Sequence, residues 1–193
     1  MANTRTPTLR DRVLEAAREI LAQEGHEALS MRRIAQMVAC KAPSIYHHFE
    51  NKDQIVDALV MEGFEMLNGY LAEAVEGESR PIKRYEDRNR AFISFGLKYP
   101  SYYHIMFAKE PGKAKKDKKI AKLSEEFRKH SVADMTHALE MGQVSSGETP
   151  ELLVSGSAAM LHGLIRQLLR GRDRKKVDKT RLVEWVIHQT VHM

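Results

Sequence analysis

The chain has 193 residues, of which 42% are hydrophobic and 30% charged, with one cysteine and a formal net charge of +5. This composition is typical of a globular chain with one or two domains. One cysteine supports neither a disulfide framework nor a zinc cage, no secretory leader is evident, and no apolar run approaches the roughly 18 residues of a membrane span. We therefore expect a cytoplasmic protein without membrane association.

The excess of basic residues is concentrated in Lys109–Lys122 and Arg166–Arg181. A basic chain is compatible with a nucleic-acid partner. Both segments are interpreted as surface loops with adjoining helix ends, so net charge alone does not indicate DNA binding, and the evidence for DNA must come from sequence pattern.

Apolar residues recur every three to four positions along the chain, which predicts an all-α fold without strands. Thr8, Ser30 and Asn51 are the predicted N-caps of three helices in the N-terminal part. We expect a helix-turn-helix DNA-binding domain at 1–55, linked by a helix to about 76, and a helical effector-binding and dimerisation domain at 77–193. The helices predicted for this second domain cover about 82–99, 101–108, 117–142, 149–170 and 178–192.

The segment from Gly25 to Lys52 predicts a helix-turn-helix unit, because two short helices joined by the turn 39–41 follow a longer helix. The second short helix would present small and polar side chains, which suits a helix that lies in a DNA major groove. A hydroxyl at a helix N-terminus, a phenol and a lysine are candidate phosphate contacts. The predicted DNA-binding residues are Ser30, Arg32, Arg33, Lys41, Ala42, Pro43, Ser44, Tyr46, His47, His48 and Lys52.

The run from Ser30 to Lys52 resembles the DNA-binding signature of the TetR family of bacterial transcriptional regulators. The resemblance implies a homodimeric repressor that binds a palindromic operator and leaves it when a small molecule enters the helical body. An activator or dual regulator of the same fold, and a protein that binds DNA without sequence preference, are the alternatives. The positions that carry the resemblance are Ser30, Arg33, Ile34, Ala35, Ile45, Tyr46, His48, Phe49 and Lys52.

Two positions depart from the family pattern. The turn usually contains Gly-Val, whereas this chain has Ala39-Cys40. Alanine in a left-handed position would cost about 1 kcal/mol. Cys40 is either a redox-sensitive thiol beside Lys41 or a small buried hydrophobe. Lys41 itself stands where the family often has a small hydroxyl residue, and it would contact a phosphate or a guanine edge.

The body has a second resemblance, to the C-terminal domain named for its Trp-His-Gly motif, through 92–107 and 158–164, of which His162-Gly163 carries over. Methionine and aromatic side chains there would line a pocket for a small apolar or aromatic effector, or would simply fill the core. The candidate pocket residues are Tyr102, Tyr103, Met106, Phe107, Met135, His137, Met141, Met160 and His162.

The last two predicted helices carry more apolar residues than their own body can bury, so we expect them to form a homodimer interface. We find no nucleophile–base pair, glycine-rich phosphate loop or paired-carboxylate motif in the sequence. We therefore expect neither an enzyme nor a cofactor. His188 and His192 have metal-ligand spacing, but a third ligand is lacking and no metal site is expected.

Overall fold

The computed structural model describes residues 7–107, 118–170 and 178–191, and all regular secondary structure within these ranges is helical, which confirms the predicted all-α fold. Residues 109–117 of the first predicted basic segment and 171–177 of the second lie outside the described residues. The helices are α1 (Leu9–Gln23), α2 (Met31–Met37), α3 (Ala42–Tyr46), α4 (Lys52–Glu73), α5 (Pro81–Lys98), α6 (Pro100–Phe107), α7 (Lys118–Glu140), α8 (Pro150–Leu169) and α9 (Lys179–Gln189), with a 3-10 turn at His26–Ala28.

The predicted caps are confirmed at three helix starts. The Thr8 hydroxyl accepts a hydrogen bond from the backbone N–H of Asp11 at 3.2 Å, and the Asp11 carboxylate accepts from the Thr8 N–H at 2.9 Å. Ser30 and Asn51 accept in the same way from N–H groups three residues later, at 3.2 and 3.1 Å. Because each cap satisfies an N–H group that the helix leaves unpaired, short polar residues set where these helices begin.

The described residues divide into two compact units. The first unit contains 7–63, 101–107 and 118–121, and the second contains 64–100, 122–170 and 178–191. The division falls inside α4, and most of α6 belongs to the first unit. Gly63 explains this packing, since a Cβ atom there would lie 2.6 Å from the Met106 sulfur and 3.0 Å from the Tyr102 ring. The missing side chain lets α6 lie directly against α4.

The core of the first unit lies between α1, α2 and α3, where Ile20, Ile34, Ile45 and Phe49 are almost completely buried. Met31, the first residue of α2, is half-buried. In this three-helix arrangement, the face of α3 opposite the buried Ile45 is exposed.

In the second unit α5 packs against α8 and α9. The core there is a cluster of Tyr85, Met135, Ala138, Val144, Leu153, Val154 and Val191. Next to it the buried Arg88 guanidinium donates to the Asp134 carboxylate at 2.8 Å. Arg84 Nε lies 2.9 Å from the same carboxylate, although its N–H direction is unsuitable for a hydrogen bond. An ion pair buried in this way depends on retaining both partners.

α8 has the length and mean hydropathy of a membrane-spanning helix, with 33% of its most apolar window buried. The expectation that no segment approaches such a span was therefore wrong for this helix. Its leucines keep the mean hydropathy high despite its small and polar residues. A single helix of this kind is weak evidence for a membrane, since core helices of water-soluble proteins pass the same test.

Candidate nucleic-acid interface and body cavity

The turn between α2 and α3 is a Schellman motif, and its geometry follows from the hydrogen bonds at the end of α2. The Cys40 N–H donates to the Ala35 carbonyl at 3.1 Å, and the Ala39 N–H donates to the Gln36 carbonyl at 3.3 Å. Ala39 has a φ of 51°, the left-handed conformation expected at this position. An alanine therefore occupies the position that glycine fills without strain.

Arg12 of α1 fixes the same turn from outside the motif, because its guanidinium donates a hydrogen bond to the Val38 carbonyl at the C-cap of α2. Arg10, also on α1, lies over the Phe49 ring at 5.3 Å from its centroid. Sequence reasoning missed both arginines, since nothing in the local sequence around α1 indicates that they contact residues far along the chain. The first helix thus positions both ends of the segment that contains α3.

α3 and the residues that follow it expose most of the predicted base- and phosphate-contacting side chains. Ile45 is fully buried, whereas Tyr46 is 51% exposed. Phe49 anchors the end of this segment, because its backbone N–H donates to the Ile45 carbonyl at 2.9 Å and its ring is buried. The exposed or half-exposed residues around these anchors are Lys41, Ala42, Pro43, Ser44, Tyr46, His47 and His48.

The remaining predicted DNA-binding residues lie at helix starts or on α2. The Ser30 hydroxyl is already used as a cap for the Arg33 N–H, and the Arg33 guanidinium pairs with Glu24 at 2.8 Å with both side chains partly exposed. Arg32 is exposed, and Lys52 is half-buried at the first residue of α4. The Arg33 guanidinium has further N–H groups besides the one that contacts Glu24, and an ion pair at an exposed site costs little to rearrange.

A cavity of about 100 Å³ lies between α5, α7 and α8 in the second unit. Its walls combine aromatic rings with a few polar side chains. The lining residues are Tyr85, Asn89, Phe92, Phe127, Arg128, Ser131, Val154, Ser155, Ser157, Ala158, Leu161 and His162. An open groove of about 720 Å³ adjoins α4, α5 and α7, and Phe127 belongs to the lining of both.

Of the nine predicted pocket residues, only His162 lines the body cavity. Met135 is fully buried in the core of the second unit, where Tyr85 and Leu153 surround it, and Met141 is 64% exposed beyond the end of α7. His137 is exposed and Met160 half-buried. The four residues of α6 (Tyr102, Tyr103, Met106 and Phe107) belong to the first unit. Residue type alone did not separate core from cavity, because methionine and aromatic residues serve both.

No group of three His, Cys, Asp or Glu side chains with metal-binding geometry occurs within the described ranges. His192 lies outside them, so the expectation for the His188–His192 pair stays a prediction. Cys40 is half-buried and is a free thiol.

Within the described residues, the structure exposes a helix-turn-helix whose geometry is that of DNA-binding units. Residues 13–59 match the family model described as bacterial regulatory proteins, tetR family. The HTH-type transcriptional regulator UidR of Escherichia coli strain K12 is 32% identical over 74 residues, which are 38% of this chain and 38% of UidR. The chain thus aligns with little more than a third of the length of this relative.

Two solved structures resemble the whole chain. A protein of unknown function from Rhodococcus sp. RHA1 has a TM-score of 0.82 at 22% identity, covering 98% of this chain and 97% of that one. The transcriptional regulator FadR from Bacillus subtilis, solved in complex with stearoyl-CoA, has a TM-score of 0.73 at 15% identity and covers 93% and 96%. Identities this low show a shared fold. The match to the tetR family model covers residues 13–59, so it shows that the N-terminal part of the chain is similar to that family.

Proposed function

We propose that the protein is a dimeric transcriptional repressor that binds an inverted-repeat operator and is released from it by a small-molecule effector. The observation that carries this proposal is the exposed α3 segment. Ile45 and Phe49 are buried there, whereas Lys41 and Tyr46 are exposed and Ser44 is half-buried. A slim polar helix fits a major groove that is about 12 Å wide. No catalytic activity is part of the proposal, and the site of action is the cytoplasm.

The DNA-binding residues have two roles in this proposal. Ser30, Tyr46 and Lys52 hold phosphates and set the position of the protein on the duplex, without reading sequence. Lys41 and Ser44, at the start of α3, reach base edges together with the small residues Ala42 and Pro43. Arg32, Arg33, His47 and His48 complete the contact with the backbone. Sequence preference then depends on the first turn of α3, whereas overall affinity depends on the phosphate contacts.

The exposed surface of α8 and α9 supports the homodimer. Trp185 is 59% exposed and Leu152 is 54% exposed. Ala159 and Gly163 are exposed on α8, and small residues there would allow a second helix to approach closely. A second copy of the chain covers this apolar surface in the proposal, so that two helices from each subunit pack together. The two α3 helices would then meet successive major grooves about 34–36 Å apart.

Selection of bound duplexes from a random DNA pool, combined with light scattering of the free protein, tests the proposal. We expect an enriched inverted repeat whose half-sites are about one helical turn apart, and a dimer in solution. Binding that ignores sequence and disappears steeply with salt would instead indicate a DNA-coating protein. A monomer that enriches no sequence contradicts the proposal.

A further inference from the structure

The Tyr85 hydroxyl is a buried polar group without a well-formed hydrogen bond. The residue is 1% exposed, and no described group meets its hydroxyl in good hydrogen-bond geometry, although the Ser157 and Asn89 side chains lie within range of it. Burial raises the pKa of this phenol, while the nearby Ser157 and Asn89 side chains act in the opposite direction. Both of these neighbours line the body cavity, which places the hydroxyl at the cavity wall.

The two neighbours donate their hydrogen bonds elsewhere. Asn89 Nδ2 donates to the Thr190 hydroxyl at 3.1 Å, and the Ser157 hydroxyl donates to the Leu153 carbonyl at 2.8 Å. A buried donor left unpaired costs roughly 1–3 kcal/mol. The Ser157 and Asn89 oxygens can still accept a hydrogen bond, but neither meets the Tyr85 hydroxyl in good geometry, so an acceptor inside the cavity would pair with it better.

The rest of the cavity wall is mostly apolar. The Phe92 and Phe127 rings stack with their centroids 5.4 Å apart and an angle of 10° between their planes. Val154 and Leu161 are buried beside them. For comparison, an apolar cavity of roughly 150 Å³ binds benzene in another protein, so about 100 Å³ admits no compound larger than one small ring.

The ionisable side chains of the cavity lining are either paired with an opposite charge or neutral. Apart from the phenol, Arg128 and His162 are the ionisable side chains of this lining. The Arg128 guanidinium pairs with Glu125 at 2.6 Å, and its side chain is 47% exposed. Burial, and to a lesser degree the charge of Arg166, lowers the pKa of His162, which keeps the imidazole neutral near pH 7. An ionised ligand would therefore be buried without a countercharge, which is strongly unfavourable.

We propose that the body cavity binds a small, uncharged, largely apolar molecule whose acceptor oxygen, of carbonyl or ether type, takes a hydrogen bond from the Tyr85 hydroxyl. This inference rests on the proposed function, because it names the chemical class of the effector.

Isothermal titration of the full chain with three probes of similar size tests this class. The probes are cyclohexanone, which has an acceptor oxygen, methylcyclohexane, which has none, and cyclopentanecarboxylate, which is charged. We expect the ketone to bind more tightly than the hydrocarbon and the carboxylate not to bind. Preferred binding of the carboxylate, or equal binding of ketone and hydrocarbon, contradicts the proposal, as does an absence of binding by all three.

Variants locate the binding. Tyr85→Phe should weaken cyclohexanone binding by roughly fivefold to tenfold, the effect of one hydrogen bond, and leave hydrocarbon binding unchanged. Tyr70→Phe, which removes a phenol hydroxyl outside the cavity lining, is the matched control and should change neither. Ala158→Leu should abolish binding of both uncharged probes by filling the cavity. Ketone binding that is unaffected by Tyr85→Phe and Ala158→Leu overturns the assignment of the ligand to the body cavity. A Tyr85 hydroxyl that binds only an ordered water also overturns it.

The DNA selection separates this inference from the proposed function. A protein that selects an inverted repeat but binds no uncharged ring compound contradicts the ligand class and leaves the regulator intact. A protein that binds cyclohexanone through Tyr85 but selects no DNA sequence contradicts the regulator and leaves the cavity assignment intact.

Discussion

Ala39 carries backbone strain at the turn of the helix-turn-helix. Its φ of 51° lies in the left-handed region, where a Cβ atom crowds the backbone. We expect Ala39→Gly to raise the free energy of unfolding by about 0.5–1 kcal/mol, because relief of this crowding exceeds the added entropy of the unfolded chain. Urea denaturation monitored by circular dichroism measures the difference.

Ala42→Gly is the control for this substitution, since Ala42 is the first residue of α3 and has no left-handed backbone. Glycine should lower stability there. If Ala39→Gly is destabilising by as much as Ala42→Gly, the turn is not strained.

His162 makes stability depend on pH. Burial lowers its pKa below the ordinary value of about 6.5. The folded state therefore binds a proton less readily than the unfolded state, and stability that is present above pH 6.5 is lost as the pH falls through the lowered pKa. We expect the loss of unfolding free energy between pH 7.5 and pH 5 to be smaller in His162→Gln than in the parent chain. Urea titrations at both pH values test this, and identical losses in the two chains contradict it.

At the scale of elements, Glu62 joins three helices of the first unit. Its carboxylate accepts hydrogen bonds from Arg18 Nε at 2.9 and 3.0 Å and from the Tyr102 hydroxyl at 2.8 Å. Burial, together with the bond to the Glu62 carboxylate, raises the pKa of Tyr102, so the phenol stays protonated and donates. α1, α4 and α6 are therefore held together by one partly buried charge.

Glu62→Gln should lower the free energy of unfolding by about 1–2 kcal/mol, because charge-assisted hydrogen bonds become neutral ones. Glu65→Gln, on an exposed position of the same helix, should change it by less than about 0.5 kcal/mol. A double-mutant cycle with Tyr102→Phe measures the coupling between the two residues. Additive effects would show that the carboxylate and the phenol act independently.

Local sequence predicted the elements better than it predicted their assembly. Thr8, Ser30 and Asn51 predicted helix starts, because caps depend on neighbours within a few positions. The resemblance to a turn that usually has glycine left open whether Ala39 would be left-handed, and the structure shows that it is. The packing of α6 against Gly63 and the body cavity depend on residues far apart in the chain, and no periodic pattern records such pairs. For this reason the predicted pocket list shares only His162 with the cavity.

At the scale of the whole molecule, substitution of the exposed Trp185 tests the proposed dimer. We expect Trp185→Lys to shift the protein towards a monomer in light scattering, because a lysine ammonium would be buried in the proposed interface between subunits. Operator affinity should fall with it, since each half-site would be bound separately. Leu97→Lys, which replaces an exposed apolar residue on α5, is the control. A dimer that tolerates Trp185→Lys and dissociates with Leu97→Lys places the interface elsewhere.

Binding to specific and random duplexes should distinguish residues that contact bases from residues that contact phosphates. We expect Tyr46→Phe to weaken binding to specific and random duplexes alike, because in the proposed complex its hydroxyl contacts a phosphate. Ser44→Ala should cost about 1–3 kcal/mol on the selected operator and also change the preferred base at one position of each half-site. Fluorescence anisotropy on both kinds of duplex measures the effects. Equal losses on both duplexes for both variants contradict direct base readout by Ser44.

α3 contains only five residues, Ala42–Tyr46. Isolated helices shorter than about 12–15 residues are marginal in water, so the conformation of this segment comes from the Schellman turn, the Arg12 contact and the buried Phe49. A synthetic peptide with the sequence 41–49 would carry the first-turn side chains and yet remain unfolded. Grafting the proposed DNA-binding segment onto another scaffold therefore requires transfer of α1, α2 and α3 as one module.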